Sequence, residues 1–258
     1  MGKLSILNNP NISLLKLDGL FKIILTGNIS ESVEEINKQY SLHYKNTDDA
    51  AGIACSVSNG KYIVLISIDS KKENVVLTNE VFFILMHELA HIHSFNNGTV
   101  IIEAKTPEEL ILKTALDLWE EYYASKFVIS LADNPMDYII HGLIEPYTKH
   151  LKEISDEIIF QGCSDIMQVQ YLQTVLCKLG YIVGSLDGLE KNRPIPEERD
   201  IEFFLYKFSD DANLLIKIQN ELRRLYELGF SWNGNEELKK LTNIIILLLN
   251  GMRKYLRE

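Results

Sequence analysis

The stretch "FFILMHELAHIHSF", Phe82–Phe95, constrains the fold of this chain more than any other. A helix over these residues is apolar on nearly every side, so it must be surrounded by other protein rather than by water. Its middle nevertheless holds His87, Glu88 and His91. Burying such groups costs on the order of several kcal/mol unless a partner satisfies them. The stretch therefore predicts a core helix whose polar centre needs a partner.

Two histidines four residues apart project from one face of a helix, one turn from each other. The imidazoles of His87 and His91 can then reach one metal ion at the roughly 2.0–2.1 Å typical of zinc. Glu88 lies beside them and can act on water at that ion without binding it, as in the H-E-x-x-H metallopeptidase motif. His93 faces away from the pair and is not predicted to be a ligand.

The alternative for this trio is purely structural. His87 and His91 would be core residues that are hydrogen-bonded to backbone carbonyls, and Glu88 would be exposed. With 6 His in 258 residues, chance produces the motif somewhere with a probability on the order of 1%. The metal interpretation is therefore favoured over the structural one.

A catalytic zinc usually has three protein ligands, so a further ligand is expected elsewhere in the chain. The stretch "DLWEEYYASKF" provides one, because Glu121, Ala124 and Phe127 are spaced to lie near one face of a helix. The small Ala124 would let this helix approach a neighbour closely. Glu121 is therefore the predicted third ligand. Glu120 points about 100° away and is the alternative.

Composition restricts the classes of function. The chain has 36 acidic and 26 basic residues, a net charge of -10, which argues against a broad basic face for nucleic acid. Its first residues lack a signal-peptide pattern, and its longest apolar run, "NIIILLLNGM", is about half of the roughly 20 residues that span a membrane. We therefore expect a cytoplasmic protein that binds neither membrane nor nucleic acid directly. The 3 Cys form no Cys-x-x-Cys pair, so neither a disulfide framework nor a thiolate zinc site is expected.

Secondary-structure patterns divide the chain near residue 135. The first part, residues 1–135, mixes strands with helices. Asp18-Gly19 is compatible with a hairpin or a loop, "AGIACSV" and "YIVLISI" predict a hairpin, and Asn28 or Ser30 is expected to cap a helix. "TPEE" at Thr106 predicts a capping box that opens a helix from about Pro107 to Leu131.

Residues 136–258 show only helical patterns, interrupted by the linker-like "GLEKNRPIPEERD". The predicted fold class is therefore α+β, with a small mixed sheet and the His-bearing helix first and a helical region after it. Helices such as "ANLLIKIQNELRRLYELG" are expected to bury an apolar stripe, the alternative being a face for a partner or a second copy. Arg223 and Arg224 on this helix are expected to be solvated charges.

Two motifs of this chain resemble those of the gluzincin metallopeptidases and, among them, of the ImmA/IrrE family. The first is H-E-L-A-H, and the second is E-x-x-A-x-x-F, whose glutamate follows the last histidine of the first by 30 residues (121 − 91). The resemblance covers roughly residues 31 to 131. It implies a zincin-like fold in which His87, His91 and Glu121 bind Zn²⁺ and Glu88 is the general base. It also implies proteolysis inside the cell, often of a helix-turn-helix repressor of phage, mobile-element or stress genes.

The reaction expected from this resemblance is hydrolysis of a peptide bond, in which Glu88 takes a proton from water and later delivers it to the leaving amine. The strand "YIVLISI" or its hairpin partner could hold an extended peptide. A further donor for the oxyanion is left open among five residues. These candidates are Tyr122, Tyr123, His141, Tyr147 and His150.

Two other classes of function are compatible with the sequence. The chain could be a non-proteolytic, metal-containing regulatory protein that recognises a transcription factor, although a structural zinc site has no use for a base such as Glu88 and would need a fourth protein ligand. A zinc hydrolase acting on a small molecule is the other alternative, and it would need a deep, closed pocket.

Overall fold

The computed structural model of the chain describes residues 12, 14–44, 50–58, 60–68, 79–98, 104–130, 165–189, 213–230 and 234–255. The fold is mixed α+β, with one small sheet and mostly helices, as the sequence predicts. Two compact units are distinguished, Met1–Thr99 and Val100–Glu258. The expected boundary near residue 135 lies outside the described residues and stays a prediction. Of the predicted linker, residues 188–200, only Gly188 and Leu189 are described, and Gly188 is the last residue of a helix.

The first unit contains a three-stranded sheet with one helix on each face. Its elements are β1 (Leu20–Thr26), α1 (Ile29–Tyr40), β2 (Gly52–Ser58), β3 (Lys61–Ser67) and α2 (Asn79–Asn96). The strand order is β1-β3-β2, in which β3 pairs with β2 in antiparallel and with β1 in parallel orientation. The hairpin of β2 and β3 is confirmed, and Gly60 at its turn has a φ of 68°, which favours glycine.

The hairpin interpretation of Asp18-Gly19 is wrong. The described residues before Gly19 form turns, in which the Leu15 N–H donates to the Ile12 carbonyl, and β1 pairs with β3 instead. Gly19 has a φ of 79°, and a Cβ there would collide with the Gly60 carbonyl oxygen. Two turns therefore meet backbone to backbone, which only glycine allows at this position.

The side chains of β3 alternate between the two faces of the sheet. Ile63 and Leu65 pack with the buried face of α1, whose first residue follows the Asn28 cap; the Asn28 side chain accepts from the Glu31 N–H at 3.1 Å. Tyr62 lies on the opposite face and stacks on Phe95 of α2, with ring centroids 6.0 Å apart. The apolar helix α2 thus covers one face of the sheet, and it ends before Gly98, whose φ is 101°.

The second unit is helical in its described part. Its elements are α3 (Pro107–Ser130), α4 (Asp165–Gly188), α5 (Leu214–Leu228), a 3-10 helix (Gly234–Leu238) and α6 (Lys239–Tyr255). The capping box is confirmed, because the Glu109 N–H donates to the Thr106 hydroxyl at 3.2 Å and the Thr106 N–H donates to the Glu109 carboxylate at 3.0 Å. No helix among the described residues is both long and apolar enough to cross a membrane.

Helices α3 and α4 pack at very short distance through a glycine stripe. Gly180, Gly184 and Gly188 follow one another at four-residue spacing on α4. A Cβ at Gly184 would collide with the carbonyl oxygen of Tyr122, and a Cβ at Gly188 would lie 2.7 Å from the carbonyl oxygen of Lys126. Sequence reasoning missed this stripe, although its small-x-x-x-small spacing is visible in "GYIVGSLDG".

Candidate metal centre

The middle of α2 is buried where the sequence places its polar residues. His87 is 6% and Glu88 8% exposed, while Leu89 and Ala90 beside them are fully buried. The expectation of an exposed Glu88 in the structural alternative is therefore wrong, and its other part, a purely structural role of the two histidines, stays a hypothesis. One carboxyl group and two imidazoles therefore lie in a largely buried helix, which is the setting in which a charge partner such as a metal ion stabilises most.

His87 and His91 approach each other through the same ring atom. Their Nε2 atoms lie 3.1 Å apart, and their ring planes are inclined by 83°. One Nε2–H can donate to the other Nε2, or both nitrogens in their neutral form can face one ion. Two nitrogens bound tetrahedrally at zinc distances lie roughly 3.3 Å from each other. The donor chemistry and spacing of this pair therefore fit a divalent metal.

Glu88 lies close to the strand β2. Cys55 of β2 is fully buried. Burial first, and then the charge of Glu88, raise the pKa of its thiol to about 12. The Cys55 side chain packs in the core cluster that includes Ile29, Val33 and Ile36 of α1. The side chain of Glu88 faces the first residue of β2, because a Cβ built on Gly52 would lie 3.0 Å from its Oε1.

His93 is held by a different set of partners. Its Nδ1 accepts the backbone N–H of Lys16 at 2.6 Å, and the amide of Asn97 lies within 3.2 Å of its Nε2. Burial and the charge of Lys16 lower the pKa of His93. This histidine therefore fastens the segment before β1 to the end of α2, in agreement with its exclusion from the ligand pair.

Glu121 and Glu120 lie on α3 in the second unit and differ in surroundings. Glu120 is 6% exposed, whereas Glu121 is partly exposed. The charges of Glu121 and Asp117 both act on Cys177 of α4, whose pKa burial raises well above its usual range. Glu121 and Asp117 therefore share one side of α3, as their spacing predicts. The assignment of Glu121 as the third ligand stays a prediction.

Asp117 is already engaged in the helical unit. Its carboxylate accepts from the ammonium of Lys113 at 2.6 Å and from the amide of Gln173 on α4. Glu121 lies one turn further along, and the Cβ of Glu121 would be 3.2 Å from a Cβ at Gly180. The glycine stripe on α4 therefore sets the position of the turn of α3 that presents Glu121.

The contacts of Tyr122 and Tyr123 bear on whether they could donate to an oxyanion. The Tyr122 hydroxyl donates to Asp187 at 2.7 Å and accepts from Lys126, and burial raises its pKa. Tyr123 is buried among aromatic rings and its pKa is raised as well, first by burial. Tyr122 is thus part of a structural network. His141, Tyr147 and His150 lie outside the described residues.

Of the two strands of the hairpin that were expected to bind a peptide, only one has an open edge among the described residues. β3, the strand "YIVLISI", pairs on both sides and offers no open edge. β2 pairs only with β3 among the described residues. At Ser56 the other edge of β2 contacts Tyr44, whose hydroxyl accepts the Ser56 N–H at 2.7 Å and donates to the Ser56 carbonyl at 2.9 Å.

Because alternate residues of an antiparallel strand turn their N–H and C=O groups to the same side, Gly52 and Ala54 share this outward orientation with Ser56. Among the residues that the structure describes, no further strand pairs with these outward groups at the beginning of β2, which is the arrangement that an added strand requires.

Comparison with protein-family models, with curated proteins and with solved structures gave no match.

Proposed function

We propose that this chain is a zinc-dependent metallopeptidase with a zincin-like fold, which hydrolyses a peptide bond in a protein substrate. The observation that carries the proposal is the pair of His87 and His91 Nε2 atoms, 3.1 Å apart in a buried helix, with the buried Glu88 between them in sequence. A structural role for the pair would not need the acidic residue.

In the proposal, His87, His91 and Glu121 hold the metal. Two imidazole nitrogens and one carboxylate oxygen are a suitable ligand set for zinc and leave a fourth position open. Zinc bound there would supply Lewis acidity toward a carbonyl oxygen and a water molecule. Glu120 remains the alternative ligand, although its lower exposure makes it the less accessible of the two carboxylates.

Glu88 performs the proton transfers of the proposed reaction. As a carboxylate it accepts a proton from the attacking water, and as a carboxylic acid it then donates that proton to the leaving amine. Its burial keeps it out of bulk water, so that the proton passes between enzyme and substrate. The side chain stands next to the beginning of β2, whose outward backbone groups can hold the substrate as an added strand.

The substrate class follows from the strand and from the family resemblance. An extended segment of a protein can pair with β2, whereas a compact small molecule gains nothing from such an edge. The resemblance to the ImmA/IrrE family suggests a transcriptional repressor with a helix-turn-helix domain, cleaved inside the cell. The net charge of -10 is in agreement with a protein partner and not with direct binding of nucleic acid.

The alternative is a regulatory protein that holds a metal and binds a transcription factor without cleaving it. The sharpest test uses the purified, untagged chain and its Glu88→Gln variant, with zinc content measured by elemental analysis and peptide hydrolysis measured on an unfolded test protein. We expect about one zinc per chain in both, and hydrolysis that is lowered at least 10²–10⁴-fold in the variant, the usual contribution of a general base. Equal zinc and no hydrolysis by either protein would favour the regulatory alternative, and absence of zinc would overturn both.

A further inference from the structure

Gly52, the first residue of β2, lies directly against α2 at the residue proposed as the base. A Cβ built on Gly52 would be 2.9 Å from Cγ of Glu88, 3.0 Å from its Oε1 and 2.7 Å from Cγ2 of Ile84. Carbon atoms in folded proteins do not approach this closely without displacement. The Glu88 side chain therefore occupies space that every other amino acid at position 52 would fill.

This glycine is not required by the backbone. The glycines with positive φ among the described residues are Gly19, Gly60, Gly98 and Gly229, and Gly52 does not belong to this group. Its conformation is one that alanine adopts without strain. What distinguishes position 52 is the space in front of it, and Glu88 and Ile84 fill that space.

The two neighbours of Gly52 differ in how easily they move. Ile84 is β-branched, so in a helix its side chain is confined to essentially one χ1 rotamer. Glu88 has three rotatable side-chain bonds and a carboxylate at its end. An added methyl group at position 52 would therefore displace the Glu88 side chain away from the strand, and its collision with the stiffer Ile84 would in addition push α2 from β2.

We propose that Gly52 is a positioning residue that allows the Glu88 carboxylate to lie against the beginning of the substrate-binding strand. The inference rests on the proposed function and deepens it. It places the base beside the outward backbone groups of Gly52, so that a peptide paired with β2 has its backbone next to the carboxylate. Glycine at position 52 thus serves the placement of Glu88 in addition to the packing of β2 against Ile84.

The test is the Gly52→Ala variant of the full chain, examined first without metal or substrate. In the wild type, nuclear Overhauser contacts are expected between the α-protons of Gly52 and the γ-protons of Glu88. In the variant, the carboxyl carbon resonance of Glu88, assigned by its loss in Glu88→Gln, is expected to shift at constant neutral pH. Zinc content should remain as in the wild type, and peptide hydrolysis should fall about 10²-fold, mainly in kcat.

The matched control is Gly60→Ala in the same hairpin. A Cβ at Gly60 meets nothing within 4 Å, and its positive φ makes this change the more strained of the two. This control should lower stability and leave the Glu88 resonance and kcat unchanged. If Gly52→Ala does not fold, the change is repeated with Ile84→Ala, which removes the second collision while the collision with Glu88 stays.

An unmoved Glu88 resonance together with wild-type kcat in Gly52→Ala would overturn the inference. A wild type that binds no zinc and hydrolyses no peptide would count against the proposed function instead, because the resonance measurement requires neither metal nor substrate.

Discussion

The Nε2 atoms of His87 and His91 lie 3.1 Å apart on consecutive turns of one buried helix. Here Met86, Leu89 and Ile92 are at most 1% exposed, so the rings are confined to one side of the helix. Two imidazole nitrogens that converge in this way are spaced to bind one cation together.

Removal of either histidine of the pair should abolish zinc binding. His87→Ala leaves two of three proposed ligands, and the loss of one ligand typically weakens a zinc site by orders of magnitude. The matched control is His93→Ala on the same helix, because His93 bonds to the Lys16 N–H and not to the pair. Elemental analysis should find no zinc in His87→Ala and about one zinc per chain in His93→Ala. A full zinc content in His87→Ala would show that His87 is not a zinc ligand.

Variants of two adjacent glutamates test the assignment of the third ligand. Glu121→Ala should weaken zinc binding much more than Glu120→Ala, since Glu121 is the partly exposed residue on the side of α3 shared with Asp117. Competition with a chelator of known zinc affinity measures the difference, expected at about 10²-fold or more. The reverse order would assign the ligand to Glu120.

Local patterns predicted the elements that carry the site. The helix α2, the Asn28 cap, the capping box at Thr106 and the β2–β3 hairpin each depend on residues within a few positions of one another. Such stretches can be recognised in the sequence because short-range steric and hydrogen-bond preferences determine their conformation. The spacing of His87 and His91 also belongs to this class, because one helical turn fixes it.

Contacts between residues far apart in sequence were not predictable in the same way. The turn at Gly19 leads into a strand that pairs in parallel with β3, about 40 residues later, and no local signal distinguishes this from a hairpin. Arg223 was expected to be a solvated charge rather than part of a nucleic-acid patch; its side chain is 38% exposed, and it also forms two hydrogen bonds with the Asp187 carboxylate, which sequence did not predict. Pairing of this kind depends on which helices meet, which the amphipathic pattern of one helix does not specify.

The glycine stripe of α4 predicts that a glycine-to-alanine substitution in a helix lowers the free energy of unfolding, which is the reverse of the usual effect. Alanine in place of glycine stabilises an exposed helix by about 1 kcal/mol. Gly184→Ala should instead destabilise the chain by roughly 1–3 kcal/mol, because its Cβ would collide with the Tyr122 carbonyl and separate α3 from α4. Urea unfolding measures the change, and the exposed Asn250→Ala on α6 serves as a control for helix propensity alone. A stabilised Gly184→Ala would show that the helices do not pack this closely.

The buried carboxylate of Asp187 should link stability to pH. It accepts hydrogen bonds from Arg223, Tyr122 and Gln219, and its side chain is 6% exposed. Burial alone would raise its pKa, but the bonds from Arg223 and Tyr122 outweigh burial and lower it. A carboxyl group with a lowered pKa in the folded state stabilises the fold above its unfolded pKa of about 3.9, and this contribution disappears as the pH falls through the folded value.

Asp187→Asn should therefore lower the free energy of unfolding at neutral pH by roughly 1–2 kcal/mol, because it removes the anion that Arg223 pairs with, while water reaches the Arg223 side chain, which is 38% exposed. The deficit relative to the wild type should shrink as the pH falls below about 4, where the wild type loses the same contribution. Urea titrations between neutral and acidic pH measure this convergence. Glu236→Gln is the control, because its pair with Lys239 is exposed on both sides and its removal should change stability by less than about 0.5 kcal/mol. A pH-independent deficit in Asp187→Asn would mean that the network stabilises by packing and not by charge.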